Sequence, residues 1–263
     1  MDLGLHGKTA FVSGSTQGIG HAVASALAAE GVSVTLNGRD PERVDEAVSR
    51  LRRAYPEVEV SGIAADFAHV DQVDRLTAAL GDVDILVNNV GLFGLAEFAA
   101  VDDEEWMRYF EVNVLSGVRL SRHALPGMLE RGWGRIVFVS SESGVNVPRD
   151  MVHYGTTKAA MMALGNGLAK LTRGTAVTVN TVLGGPTYSE GVAASVEAVA
   201  AQRSVPAEAM RDAIIGQNAT TLLGRFLAPA EVADLVAYLA SPRASATNGA
   251  ALRADGGVLT GIL

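Results

Sequence analysis

Ser13-Gly14-Ser15-Thr16-Gln17-Gly18-Ile19-Gly20 stands between a short apolar run, Thr9 to Ser13, and Val23, Ala24, Leu27 and Ala28 at helical spacing. A strand turns into a helix here through three glycines. Glycine lets the backbone turn sharply and come close to a pyrophosphate, and the N–H groups and dipole of a helix start favour negative charge. The spacing is G-x-x-x-G-x-G rather than the general G-x-G-x-x-G fingerprint. Such a turn can also serve close packing alone, but its place after the first strand favours phosphate binding. The candidate residues are Gly14, Ser15, Thr16, Gln17, Gly18, Ile19 and Gly20.

Outward from this turn, short β-branched runs alternate with longer amphipathic stretches, the pattern of a parallel sheet. Strands are expected at 9–13, 32–37, 58–64, 85–88, 135–140, 177–182 and 251–253. Several are almost continuously apolar, which suits strands covered on both faces. Helices are expected at 18–30, 41–54, 70–80, 104–131, 154–172 and 230–239. Asp40 before Pro41 caps a helix whose first position is proline, and Ala228-Pro229-Ala230-Glu231 resembles another start. The expected fold is α/β, a doubly wound parallel sheet of about seven strands with helices on both faces, in one domain over 1–263. Within it, 184–226 is a long excursion with helices around 190–202 and 206–215, expected to form a substrate-binding lid.

Composition removes several chemistries. The chain of 263 residues contains no cysteine, which excludes a disulfide scaffold, a thiolate zinc site, an iron–sulfur cluster and a catalytic thiol. It carries 29 acidic against 21 basic side chains, a net charge of -8, and no basic cluster, so no nucleic-acid partner is expected. Met1-Asp2-Leu3-Gly4-Leu5-His6 lacks a basic stretch followed by an apolar run, so a cytoplasmic protein without a signal peptide is expected. No run approaches the roughly 18 apolar residues of a membrane span. His6, His21, His69, His123 and His153 show no metal-ligand spacing, and no metal is expected.

The end of the second strand, Asn37-Gly38-Arg39-Asp40, should meet an adenosine ribose. An acid there bonds a free 2′-hydroxyl, whereas arginine accommodates a 2′-phosphate. Position 38 is glycine, Arg39 follows, and Asp40 is better explained as the helix cap. NADP(H) is therefore favoured, with NAD(H) possible. Farther on, Tyr154 and Lys158 lie four residues apart at a helix start, on one face. A phenol is a poor base at neutral pH, and a neighbouring ammonium is expected to lower its pKa and make it a proton donor and acceptor. Tyr-x-x-x-Lys alone is common on amphipathic helices. His153 beside it reads as packing more readily than as a substrate contact, and Met161 and Met162 as a buried helix face.

Taken in order, Gly14 to Gly20, Asn88-Asn89-Val90-Gly91, Asn113, Ser140-Ser141, Tyr154 with Lys158, Gly185-Pro186-Thr187 and Asp255-Gly256-Gly257 make the chain resemble a classical short-chain dehydrogenase/reductase over essentially its whole length. The resemblance implies a Rossmann-type fold. It also implies that Tyr154 is the acid/base, that Lys158 lowers its pKa and bonds the nicotinamide ribose, and that Ser141 orients the carbonyl. Asn113 would hold a water linking Lys158 to solvent. Asn89 and Gly91 would wall the cofactor, Asp66 and Phe67 contact adenine, and Thr187 contact the carboxamide. Two departures stand out. Ser13 replaces a threonine but keeps the hydroxyl, and Gly184 stands where proline is common, which predicts a looser backbone beside the nicotinamide.

The expected activity is interconversion of a ketone and a secondary alcohol by hydride transfer. Non-redox chemistry on the same fold and a nucleotide-sensing protein without turnover are the alternatives. Tyr188, Ser189 and Glu190 followed by Val192, Ala193, Ala194, Val196 and Val199 hint at a largely apolar or modest-sized substrate. By resemblance a homotetramer, or a homodimer, is expected through the helices bearing Asn113 and Lys158.

Overall fold

The computed structural model describes residues 2–217 and 221–262. Strand β1 (Thr9–Val12) buries Ala10, Phe11 and Val12, and helix α1 (Gly18–Ala29) buries Val23, Ala24, Leu27 and Ala28. The alternation continues through β2 (Ser33–Gly38), α2 (Pro41–Ala54), β3 (Val60–Ala64), α3 (Val70–Leu80) and β4 (Ile85–Asn88). There follow α4 (Asp103–Phe110), a π-helical turn at Glu111–Leu115, α5 (Ser116–Arg131), β5 (Trp133–Ser141), α6 (Val152–Leu171) and β6 (Ala176–Gly184). Helices α7 (Glu190–Gln202) and α8 (Ala207–Gln217) occupy the excursion before α9 (Pro229–Ala240) and β7 (Ala251–Ala254). Residues 218–220 of the expected lid range lie outside the described residues.

The seven strands form one parallel sheet in the order β3-β2-β1-β4-β5-β6-β7. One core joins the sheet to α1, α2 and α9, and a second joins its other face to α3, α5 and α6, with Met161 in it. This is the expected Rossmann-type arrangement. Strand order reverses between β1 and β4, which opens a crevice at their carboxyl ends. Local chemistry explains the helix starts: the Asp40 carboxylate accepts from the N–H groups of Glu42 and Arg43 at 3.0 and 3.4 Å.

Three expectations change. Strands β5 and β6 run further than their apolar cores because their ladder continues from Trp133–Ala176 to Ser141–Gly184. The stretch expected as one helix over 104–131 is interrupted by the π-helical turn. Gly184 is not loose: it pairs with Ser141 on one side and Ala254 on the other. The tight position is Gly185, where a Cβ would lie 2.5 Å from the Asp255 carbonyl oxygen. Among the described residues no helix is long and apolar enough to cross a membrane.

Candidate active site

The glycine turn is built as its residues demand. Gly14 and Gly18 take φ of +61° and +60°, the left-handed region, and a Cβ on Gly20 would lie 2.3 Å from the Gly14 carbonyl oxygen. Helix α1 can approach β1 this closely only through glycine. Neighbouring strands clamp the turn. Ser13 Oγ accepts the N–H groups of Asn89 and Val90 at 2.9 and 3.1 Å, so serine keeps the hydroxyl's function in place of threonine. Asn89 Nδ2 donates to the carbonyls of Ser13 and Gly14 at 3.0 and 2.9 Å, and Asn37 Oδ1 accepts from the Gly14 N–H at 3.1 Å.

A cleft of about 630 Å³ follows, lined by Gly14, Thr16, Gln17, Gly18, Ile19 and Gly20, by Arg39 and Asp66, and by Asn89 and Gly91. Ser15 is the exception within the motif. Its side chain is fully buried, and its Oγ donates to the Val12 carbonyl at 2.7 Å, so it braces the turn from behind. Phe67 borders the cleft, but it is packed into the core with Val73 and Leu76. Arg43, in the first turn of α2, lines the same end. No motif in the sequence singled it out. A glycine turn at a helix start with two guanidinium groups at the β2 end fits a phosphate-bearing dinucleotide.

On the other side of the crevice, β5 ends at Ser141 and α6 brings up Tyr154 and Lys158. Lys158 is buried, its Nζ donates to the Val139 carbonyl at 3.0 Å, and it lies 5.6 Å from the centre of the Tyr154 ring. A Cβ on Gly91 would lie 3.3 Å from that Nζ, so the loop after β4 passes the ammonium without a side chain. Asn113 sits in the π-helical turn, a distortion frequent at functional sites. Its amide accepts from the Leu92 N–H at 2.7 Å and donates to the Leu92 carbonyl and Thr157 Oγ1 at 3.0 and 2.9 Å. Asn113 therefore ties the Gly91 loop to α6 rather than bonding Lys158 directly. Thr187 is buried, its Oγ1 donating to the Gly185 carbonyl at 2.9 Å. His153 packs edge-on against Tyr109 and Trp106, with ring centres 4.4 and 6.3 Å away.

Burial governs the electrostatics. It pushes Tyr154 up to about 12, opposed by a hydrogen bond with Ser141 and reinforced by Glu142 and Tyr109. Burial also pulls Lys158 down to about 8. The expected lowering of the phenol by the ammonium is thus reversed: a low-dielectric site disfavours charge on both groups.

The short chain dehydrogenase family model matches residues 8–200. The chain belongs to the short-chain dehydrogenase/reductase family. It is 41% identical to the uncharacterized oxidoreductase YvaG of Bacillus subtilis (strain 168) over 100% of both chains. Its fold matches the L-sorbose reductase of Gluconobacter frateurii in complex with NADPH and L-sorbose, with a TM-score of 0.94, 31% identity and 100% of both chains covered. It also matches a variant of the actinorhodin polyketide ketoreductase with NADPH, with a TM-score of 0.87, 34% identity and 95% and 97% of the two chains covered.

This short-chain dehydrogenase/reductase is an oxidoreductase that uses a nicotinamide cofactor. It carries two carboxylates at the site that no motif announced. Glu190, at the start of α7, accepts from the Gly18 N–H at 2.8 Å, placing a negative charge on the glycine turn. Glu142 accepts from Ser141 Oγ at 3.0 Å. Within the excursion, Val196, Ala200 and Met210 build a small core joining α7 to α8, with Tyr188 and Val192 against it, while Val199 is exposed. Two of the residues behind the expectation of an apolar substrate, Val192 and Val196, are thus used inside the excursion.

Proposed function

We propose that the enzyme interconverts a ketone and a secondary alcohol, with NADP(H) as the preferred cofactor and NAD(H) as the lesser one. The observation that carries this reading is the convergence of Ser141, Tyr154 and Lys158 at the ends of β5 and α6, across the crevice from a glycine turn that fits a dinucleotide. When bound, the nicotinamide supplies or accepts the hydride. Tyr154, held neutral by burial, protonates the carbonyl oxygen in reduction and takes the proton back in oxidation. Ser141 donates to the same oxygen and fixes its position.

Lys158 holds the nicotinamide ribose, and Asn113 keeps the Gly91 loop and α6 in register around it. Asn89 and Gly91 wall the cofactor, Asp66 and the Phe67 main chain flank the adenine, and Thr187 meets the carboxamide. Arg39, joined by Arg43, supports the 2′-phosphate, and NADPH in the sorbose reductase and ketoreductase structures agrees with that preference. The 184–226 segment serves as the substrate lid. The enzyme works as a cytoplasmic homotetramer, or a homodimer, assembled through the helices near Asn113 and Lys158, which sedimentation of the purified protein tests.

The deciding experiment is a cofactor-coupled screen of ketones and alcohols with NADPH and NADH separately. The expected result is turnover of ketones with kcat/KM at least about tenfold higher for NADPH, the worth of one charged contact. A clear NADH preference overturns the cofactor assignment. NADPH binding without oxidation across the whole panel overturns the oxidoreductase reading in favour of a nucleotide sensor.

A further inference from the structure

Ser141 has one hydroxyl proton, and with Tyr154 neutral it is committed to Glu142. Ser141 Oγ donates to Glu142 Oε2 at 3.0 Å while accepting from the Ser143 N–H at 3.1 Å. Glu142 opens the single 3-10 turn Glu142–Gly144 that follows β5, so its place beside the serine is set by the backbone. Its carboxyl is half-buried, burial holds it above the usual carboxylate range, and Asp255 adds to that shift. Among the described residues no lysine, arginine or histidine forms an ion pair with it. Ser141 and Ser143 are its hydrogen-bond partners.

A substrate carbonyl that takes the Ser141 proton therefore takes it from Glu142. A simple ketone has nothing to return, and the half-buried carboxylate loses one of its two donors and keeps only Ser143. That loss disfavours the complex by about 1–3 kcal/mol, or about ten- to a hundredfold. A ketone with a hydroxyl on the adjacent carbon repairs it. Its carbonyl oxygen accepts from Ser141 while its neighbouring hydroxyl donates to Glu142, and two oxygens on adjacent carbons match a hydroxyl and a carboxylate one hydrogen bond apart. An anionic substrate meets the negative field of Glu142 and Asp255 instead. We propose that Glu142 is a specificity-determining residue that selects uncharged α-hydroxy ketones, and vicinal diols in the reverse direction, over simple ketones and keto acids. The proposal rests on Ser141 as the residue that orients the reacting oxygen.

Matched substrates test it. Initial rates with NADPH and NADH are measured for hydroxyacetone against 2-butanone, for erythrulose against 2-hexanone, and for pyruvate. The wild-type protein is expected to favour each hydroxy ketone about ten- to a hundredfold in kcat/KM, with pyruvate weakest. Glu142→Ala should bring the hydroxy-to-simple ratio close to one. Glu142→Gln, which keeps an acceptor but not the charge, should retain the hydroxyl preference and relax the rejection of pyruvate. Cofactor titration confirms that each variant is folded, and the wild-type ratio stands whether or not a variant folds. A wild-type ratio near one, a ratio unchanged in Glu142→Ala, or no turnover of any hydroxy ketone overturns the proposal. The broad screen separates the two failures: turnover of simple ketones there leaves the oxidoreductase reading intact, and its absence removes both.

Discussion

Tyr154 and Lys158 are shifted in opposite directions by the same cause, and each shift has a measurable consequence. Tyr154→Phe keeps the ring and removes the proton, so turnover should fall by about 10²- to 10⁴-fold while NADPH binds almost unchanged. Retention of most activity in a stopped-flow assay would remove the acid/base assignment. For Lys158, the folded state carries a charge that burial resists, whereas the unfolded chain carries it freely up to about its ordinary value of 10.5. The penalty is full below about pH 8, shrinks between there and 10.5, and is gone above. At about 1.4 kcal/mol per pKa unit it amounts to about 3 kcal/mol, offset by roughly 1 kcal/mol for the bond to Val139. Lys158→Met should therefore be inactive yet more resistant to urea at pH 7, with the gain fading toward pH 10.5. A gain that is constant with pH would show that burial of the charge is not its source. The Tyr154–Lys158 pair was legible because helical spacing brings such residues together. Glu142 was not, because a carboxylate next to a serine has no periodic signature until the 3-10 turn folds it back. Ser15 misled for the complementary reason: a hydroxyl inside a phosphate-binding motif gives no sign that it faces the strand behind.

Among the elements, helices were easiest to delimit where their caps are local. Asp40-Pro41 starts α2 in sequence and structure alike, since the cap needs only its own neighbours. Strands β5 and β6 outran their apolar residues because a ladder partner, not propensity, extends them, and the π-helical turn has no local marker at all. The contact between α7 and the glycine turn was invisible for the same reason: Glu190 and Gly18 are 172 residues apart. That contact puts a carboxylate at the start of α1, where an anionic cofactor is also favoured. Glu190→Gln should tighten NADPH binding about two- to fivefold at low salt, the worth of one charge at a helix N-terminus, and the gain should diminish as salt screens it. Fluorescence titration measures it. An unchanged dissociation constant at low ionic strength would mean that the carboxylate does not compete with the cofactor.

At the level of the molecule, alternation of strand and helix was enough to anticipate the sheet, because right-handed crossovers leave few ways to order parallel strands. Arg43 apart, the residues of the two ends were anticipated too, but not the distance across the sheet that strand order puts between them. Arg39 and Arg43 stand at the β2 side of the crevice, and Ser141, Tyr154 and Lys158 stand at the β5 side, with β1 and β4 between them. Separate sites of this kind lose free energy independently, within about 0.3–0.5 kcal/mol. The Arg39→Ser and Ser141→Ala losses in log kcat/KM with NADPH should therefore sum in the double variant, and a shortfall beyond that margin would reveal coupling through the sheet. Losses that sum would make cofactor choice and chemical competence separate heritable traits. A lineage carrying this fold could then exchange one dinucleotide for the other through the β2 end alone, and the proton-transfer machinery would inherit the change without adjustment.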